Sequence, residues 1–89
     1  MQSLARSTIL DTGALGALIQ EIRETNVNVD SGDRDTLNSD LATVEAQLKR
    51  PEPKVSIIRE SLASARAILE GAGATLLAGK IAQLLGTST

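Results

Sequence analysis

The run from Val55 to Leu85 constrains this chain more than any other stretch. Val55, Ile58, Leu62, Ala65, Leu69, Ala72 and Leu76 recur at alternating steps of three and four, which places them on one stripe of an α-helix. From Ala65 onward the other sides fill with Ala67, Ile68, Ala74, Leu77, Ala78, Ile81, Ala82, Leu84 and Leu85, until the helix is apolar nearly all round. A helix of that kind must be buried on several sides. If continuous it would measure about 45 Å, at roughly 1.5 Å per residue. Gly71 and Gly73 lie inside it, each costing about 1 kcal/mol of helix propensity against Ala, and they mark a bend or a close backbone crossing. Gly86 stands where a glycine closes a helix, and Thr87, Ser88 and Thr89 read as its frayed end.

Two shorter helices precede it. Asp11 or Thr12 can cap the first, in which Leu15, Leu18, Ile19 and Ile22 form one apolar face ending near Thr25, with Gly13 and Gly16 weakening its start. Asn26 to Asp30 lacks helical period and reads as a connector, with Val27 and Val29 tucked inward. Ser31 offers the cap of the second helix, Asp33 and Asp35 suit its positive end, and Leu37, Leu41, Val44 and Leu48 make a single seam. Glu45 and Lys49 are spaced for an i,i+4 pair on the solvated side. Lys49 and Arg50 finish the helix, and Pro51-Glu52-Pro53 stops it, because each proline disfavours helical geometry in the residue before it. So short a link demands antiparallel neighbours. For residues 1–10, with Leu4, Ile9 and Leu10 among small polar residues, three readings stand level: a disordered lead, a cloning remnant, or a strap across the core.

At 89 residues the chain is one small domain, of a size that buries only a little over half of its unfolded surface, so oligomerisation is an expected remedy. Its apolar residues are Ala, Leu, Ile, Val and a single Met, without any aromatic, which favours closely packed helices over a sheet. With no Cys and no His, zinc sites of the usual kind, thiol nucleophiles, disulfides and histidine acid–base catalysis all fall away. The expectation is a protein without enzymatic activity, metal or cofactor. A net charge of −2, scattered basic residues and no aromatic to stack a base give nucleic-acid binding little support. Met1 to Arg6 lacks the pattern of a signal peptide, and a chain without cysteine fits the cytoplasm.

Each candidate site has a plainer competitor. The acidic run Asp30 to Asp35 invites a calcium reading but misses the EF-hand spacing, and helix capping accounts for it better. Lys49, Arg50, Lys54 and Arg59 gather near the proline turn as a candidate anion or lipid-headgroup site, against a solvated turn compensated by Glu52 and Glu60. Ser56, Ser61 and Ser64 have no base at matching spacing to make a nucleophile. Gly71, Ala74, Ala78, Gly79 and Ala82 let backbones approach closely, either within the chain or between two copies. Lys80 and Gln83 interrupt the apolar run, which falls short of the ~20 residues a membrane span needs.

The stretches Leu41-Ala42-Thr43-Val44-Glu45-Ala46-Gln47-Leu48, Pro51, Pro53-Lys54, Ile57-Ile58-Arg59-Glu60-Ser61-Leu62 and Ile68-Leu69-Glu70-Gly71-Ala72 resemble a helical module at the carboxyl end of assorted uncharacterised bacterial proteins, some related to phage defence or abortive infection. The resemblance covers roughly Asp33 to Leu85 and rests on helix-forming residues. It implies an accessory oligomerisation or docking domain of a larger protein and transfers no active site.

The sequence therefore predicts an all-α fold, with a lead at 1–10 and a single helical domain at 11–89. Its three helices run near Asp11 to Thr25, Gly32 to Arg50 and Lys54 to Leu85, making an antiparallel hairpin with a long Gly/Ala-rich C-terminal helix bent at Gly71 to Gly73. The expected function is non-catalytic protein association, as a dimer first and a tetramer second, or with a fused or separate protein partner. The expected interface is Leu69, Ala72, Gly73, Leu76, Leu77, Ala78, Ile81, Leu84 and Leu85. The rivals are a membrane-active effector that inserts Ala72 to Leu85 into a bilayer surface, and an enzyme module completed by a fused domain.

Overall fold

The computed structural model describes residues 11–25 and 28–85. Among these residues the chain forms four helices and no strand: α1 (Thr12–Glu24), α2 (Ser31–Leu48), α3 (Val55–Gly71) and α4 (Thr75–Leu85). The lead at 1–10, the inward placement of Val27, and Gly86 with the frayed end lie outside the described residues.

Capping sets where the first two helices begin. The Asp11 carboxylate accepts the Ala14 amide at 3.0 Å, and the Asp30 carboxylate accepts that of Asp33 at 2.8 Å. Each satisfies an amide that the first turn leaves without a helical partner. Asp30, not Ser31, is therefore the cap of α2, and the helix starts one residue earlier than the expected Gly32. At its other end α1 stops where Thr25 turns extended and its hydroxyl donates to the Glu21 carbonyl at 2.8 Å.

One core joins all four helices. α1 contributes Leu15, Leu18, Ile19 and Ile22, α2 Leu37, Leu41 and Val44, and α3 Ile58, Leu62, Ala65 and Leu69. Those eleven are the residues whose spacing predicts them inside, and α4 adds Leu77, Ala78, Ile81 and Leu85. Val29 packs on the edge of this cluster. Burying a Leu or Ile side chain fully is worth about 2 kcal/mol, so most of the stability of the fold resides here. Leu48 and Val55, expected in the seam, are only half-buried and 41% exposed respectively. They flank the proline turn, where the chain swings away from the core.

The main departure from the sequence expectation is the third helix, which is two elements rather than one. α3 ends in an array of backbone bonds that closes it: the Gly73 amide donates to the Glu70 carbonyl at 3.1 Å and the Ala74 amide to the Leu69 carbonyl at 2.8 Å. This pairing needs a left-handed residue after the cap, and Gly73, at φ +82°, supplies it. Ala74 packs against the core, a contact that frequently accompanies this closure. The chain then reverses, and α4 packs on α3 so that its last described carbonyl, Leu85, accepts from the Arg59 guanidinium at 3.3 Å. What the spacing predicts as a bend is a full turn, because Leu77, Ala78, Ile81 and Leu85 find cover in a folded-back chain that a projecting arm would deny them.

Candidate interaction surface

α1 and α4 meet along a groove lined by Ala14, Ala17, Leu18, Glu21, Lys80, Gln83 and Leu84, with a volume of about 340 Å³. Its floor is apolar and its rim is charged. The Lys80 ammonium donates to both Glu21 carboxylate oxygens, at 3.1 and 2.9 Å, and so ties α4 to α1 across the rim. On the other side of α1, Arg23 makes a two-pronged contact with Glu45 of α2, at 3.3 and 2.7 Å. Glu45 is thus engaged by α1 rather than by the expected Lys49. A planar guanidinium matches a carboxylate with two parallel bonds, which a lysine cannot do.

Beside this groove stands Leu76, 76% exposed. Leu76, Lys80 and Gln83 follow at steps of four and three on α4, so Leu76 continues the face that borders the groove. Of the expected interface, Leu69, Leu77, Ala78, Ile81 and Leu85 are buried in the chain's own core, Ala72 and Leu84 lie partly buried at its edge, and Gly73 and Leu76 are exposed. The small residues divide likewise: Ala78 meets its neighbours within the chain, while an added Cβ at Gly71 or Gly79 would meet open space.

The remaining candidates separate on geometry. Asp30 is occupied as a cap, and among the described residues no group of three acidic side chains is placed to hold a metal ion. Around the proline turn, exposed Arg50, Glu52 and Lys54 line one open pocket with Pro51 and Pro53, while Arg59 is engaged at the Leu85 carbonyl. Ser56 is exposed, and Ser61 and Ser64 are half-buried on α3. Among the described residues, one buried side-chain oxygen lacks a hydrogen-bond partner, Oδ2 of Asp40 on α2. No helix among them is long and apolar enough to cross a membrane. No family model, curated protein or solved structure matches this chain.

The groove itself escapes sequence reading. Ala14, Ala17 and Glu21 belong to the outer side of a helix with one apolar face, and nothing local says that Lys80, 59 residues from Glu21, will come to rest opposite them. The exposure of Leu76 follows from the turn at Gly73, so a correct reading of that glycine as a helix closure would have found it.

Proposed function

We propose that this chain is a non-catalytic helical association module that pairs with a second copy of itself through the outward face of α4. The observation that carries this reading is Leu76, a large apolar side chain 76% exposed beside a groove with an apolar floor. Covering such a side chain contributes about 2 kcal/mol per copy, and a symmetric dimer covers two at once. In this reading the α2 and α3 pair is an antiparallel hairpin that carries α4, and the chain serves in the cytoplasm as an accessory module of a larger bacterial protein, the latter as the resemblance to a helical module of uncharacterised bacterial proteins implies. The core residues of the expected interface support the contact from behind, and Leu76, Ala72, Gly73 and Leu84 form its edge.

Sedimentation equilibrium on the wild type and on Leu76→Glu tests the proposal. The wild type is expected to dimerise and Leu76→Glu to remain monomeric, melting where the wild type melts at concentrations low enough to be monomeric, since the side chain lies outside the core. A folded wild-type monomer at high micromolar concentration overturns it. Leakage from liposomes at low concentration, lost in Leu76→Glu, would favour insertion into a bilayer surface instead.

A further inference from the structure

We infer that α3 and α4 fuse into one straight helix when two copies associate, each copy placing its α4 in the core of the other. This rests on the proposed self-association and extends it: Leu76 on the outward face still meets its mate, at the hinge, while the inward face of α4 makes the larger contact between copies. Leu76 lies a step of four beyond Ala72 and so completes the stripe of Ile58, Leu62, Ala65 and Leu69 across the turn. In the closed chain it is nevertheless 76% exposed, because the turn rotates α4 and buries Leu77, Ala78, Ile81 and Leu85 in its place. The stripe of α3 thus runs one residue past the turn, to Leu76, and the folded-back chain leaves that residue uncovered.

The two turns flanking α3 differ in what they permit. Pro51 and Pro53 cannot join a helix interior, so the link between α2 and α3 stays a turn. From Lys54 to Leu85 there is no proline, and the whole reversal depends on Ala72, Gly73 and Ala74, with a left-handed conformation at Gly73 alone. Returning Gly73 to a right-handed conformation restores helical bonding through the hinge. A hinge so short cannot relax by degrees: α4 is either folded back or carried away along the axis of α3. Once carried away, it leaves the cavity of Leu77, Ile81 and Leu85 empty, and the α4 of a second copy has the shape to fill it. The contacts that α4 makes with α1 and α3 are then remade between copies, and only those of the turn itself are lost. The straightened helices cross near the hinge, where Leu76 meets its symmetry mate and is covered.

The test uses the full chain carrying Glu60→Cys and Gln83→Cys, two exposed positions in a protein without native cysteine, labelled as a spin pair and diluted with unlabelled chain. In the closed chain the Arg59 contact with Leu85 holds these positions close, whereas a straight helix separates them by about 35 Å, at roughly 1.5 Å per residue. The long distance is expected in the dimer and the short one in the monomer. Gly73→Ala should tighten the dimer about a hundredfold, because two hinges per dimer are each relieved of an αL penalty worth roughly tenfold. Adding Leu76→Ala should reverse much of that gain and leave the melting of the monomer unchanged. A dimer that keeps the short distance overturns the exchange of α4 while leaving self-association standing. The absence of any dimer, in wild type and in Gly73→Ala, overturns both. If Gly73→Ala does not fold, the distance measured on the wild type at millimolar concentration decides the question by the same two outcomes.

Discussion

The buried side chain of Gln47 reaches across the proline turn and accepts the backbone amide of Lys54 at 2.9 Å. Lys54 precedes α3 and has no side-chain cap of its own to organise that helix start. The seam of α2 therefore ends in a polar residue, with Gln47 buried and Leu48 only half-buried. The two prolines shape the turn, and Gln47 anchors it to the helix before it.

Gln47→Ala is accordingly expected to destabilise the fold by about 1–2 kcal/mol, through loss of the hydrogen bond and the abandonment of a partly buried amide. For a domain of this size that corresponds to a fall of roughly 4–15 °C in melting temperature. Thermal melting followed by circular dichroism measures it. A midpoint unchanged within error would mean that the prolines hold the turn without help.

The same geometry ranks two substitutions that the spacing of α2 alone would treat as equals. Val44 is fully buried and Leu48 is not. Val44→Asp places an unpaired carboxylate in the core and should leave the chain unfolded. At Leu48→Asp the carboxylate can turn toward water, and the cost should stay near 1–2 kcal/mol. Denaturation midpoints for the two variants check the order, and equal losses would contradict it.

Legibility in the sequence followed the range of the interactions. Leu15, Leu18, Ile19 and Ile22, like Leu37, Leu41 and Val44, were legible because a core face repeats every three or four residues whatever it packs against. The turn at Gly73 was half legible. Its glycine was visible, but the choice between a bend and a reversal depends on what α4 gains by packing back on α3, which is a tertiary quantity. The pairs Arg23 with Glu45 and Glu21 with Lys80 were not legible at all, since their partners are brought together by packing alone. The candidate surface inherits that limit: Leu76 belongs to the stripe in sequence and to the surface in space.

The Glu21 and Lys80 pair is half-exposed on both sides, so its contribution to stability should be modest, about 0.2–1 kcal/mol, and should weaken as salt is added. A double-mutant cycle with Glu21→Gln and Lys80→Met isolates it. Coupling in that range, reduced at high ionic strength, is the expected result. A coupling energy several times larger would show that the groove rim is a principal tie between α1 and α4.

The last expectation concerns the holding of α4. The C-terminal end of α4 is the negative pole of its helix dipole, and the Arg59 guanidinium offers a donor and a positive charge to that end, at the Leu85 carbonyl. The bond joins the start of α3 to the end of α4, so it opposes the very motion that opens the folded-back chain. Arg59→Met keeps much of the aliphatic stem but removes the donor and the charge, and should cost about 0.5–1.5 kcal/mol, felt by α4 before the rest of the molecule. Native-state hydrogen exchange gives a direct reading of that difference. Amides of Ile81 and Leu85 should exchange about two- to tenfold faster in Arg59→Met, while Leu41 and Val44 of α2 change less. Equal acceleration in α2 and α4 would mean that α4 opens only with the whole fold, and that the Arg59 contact gives it no separate latch.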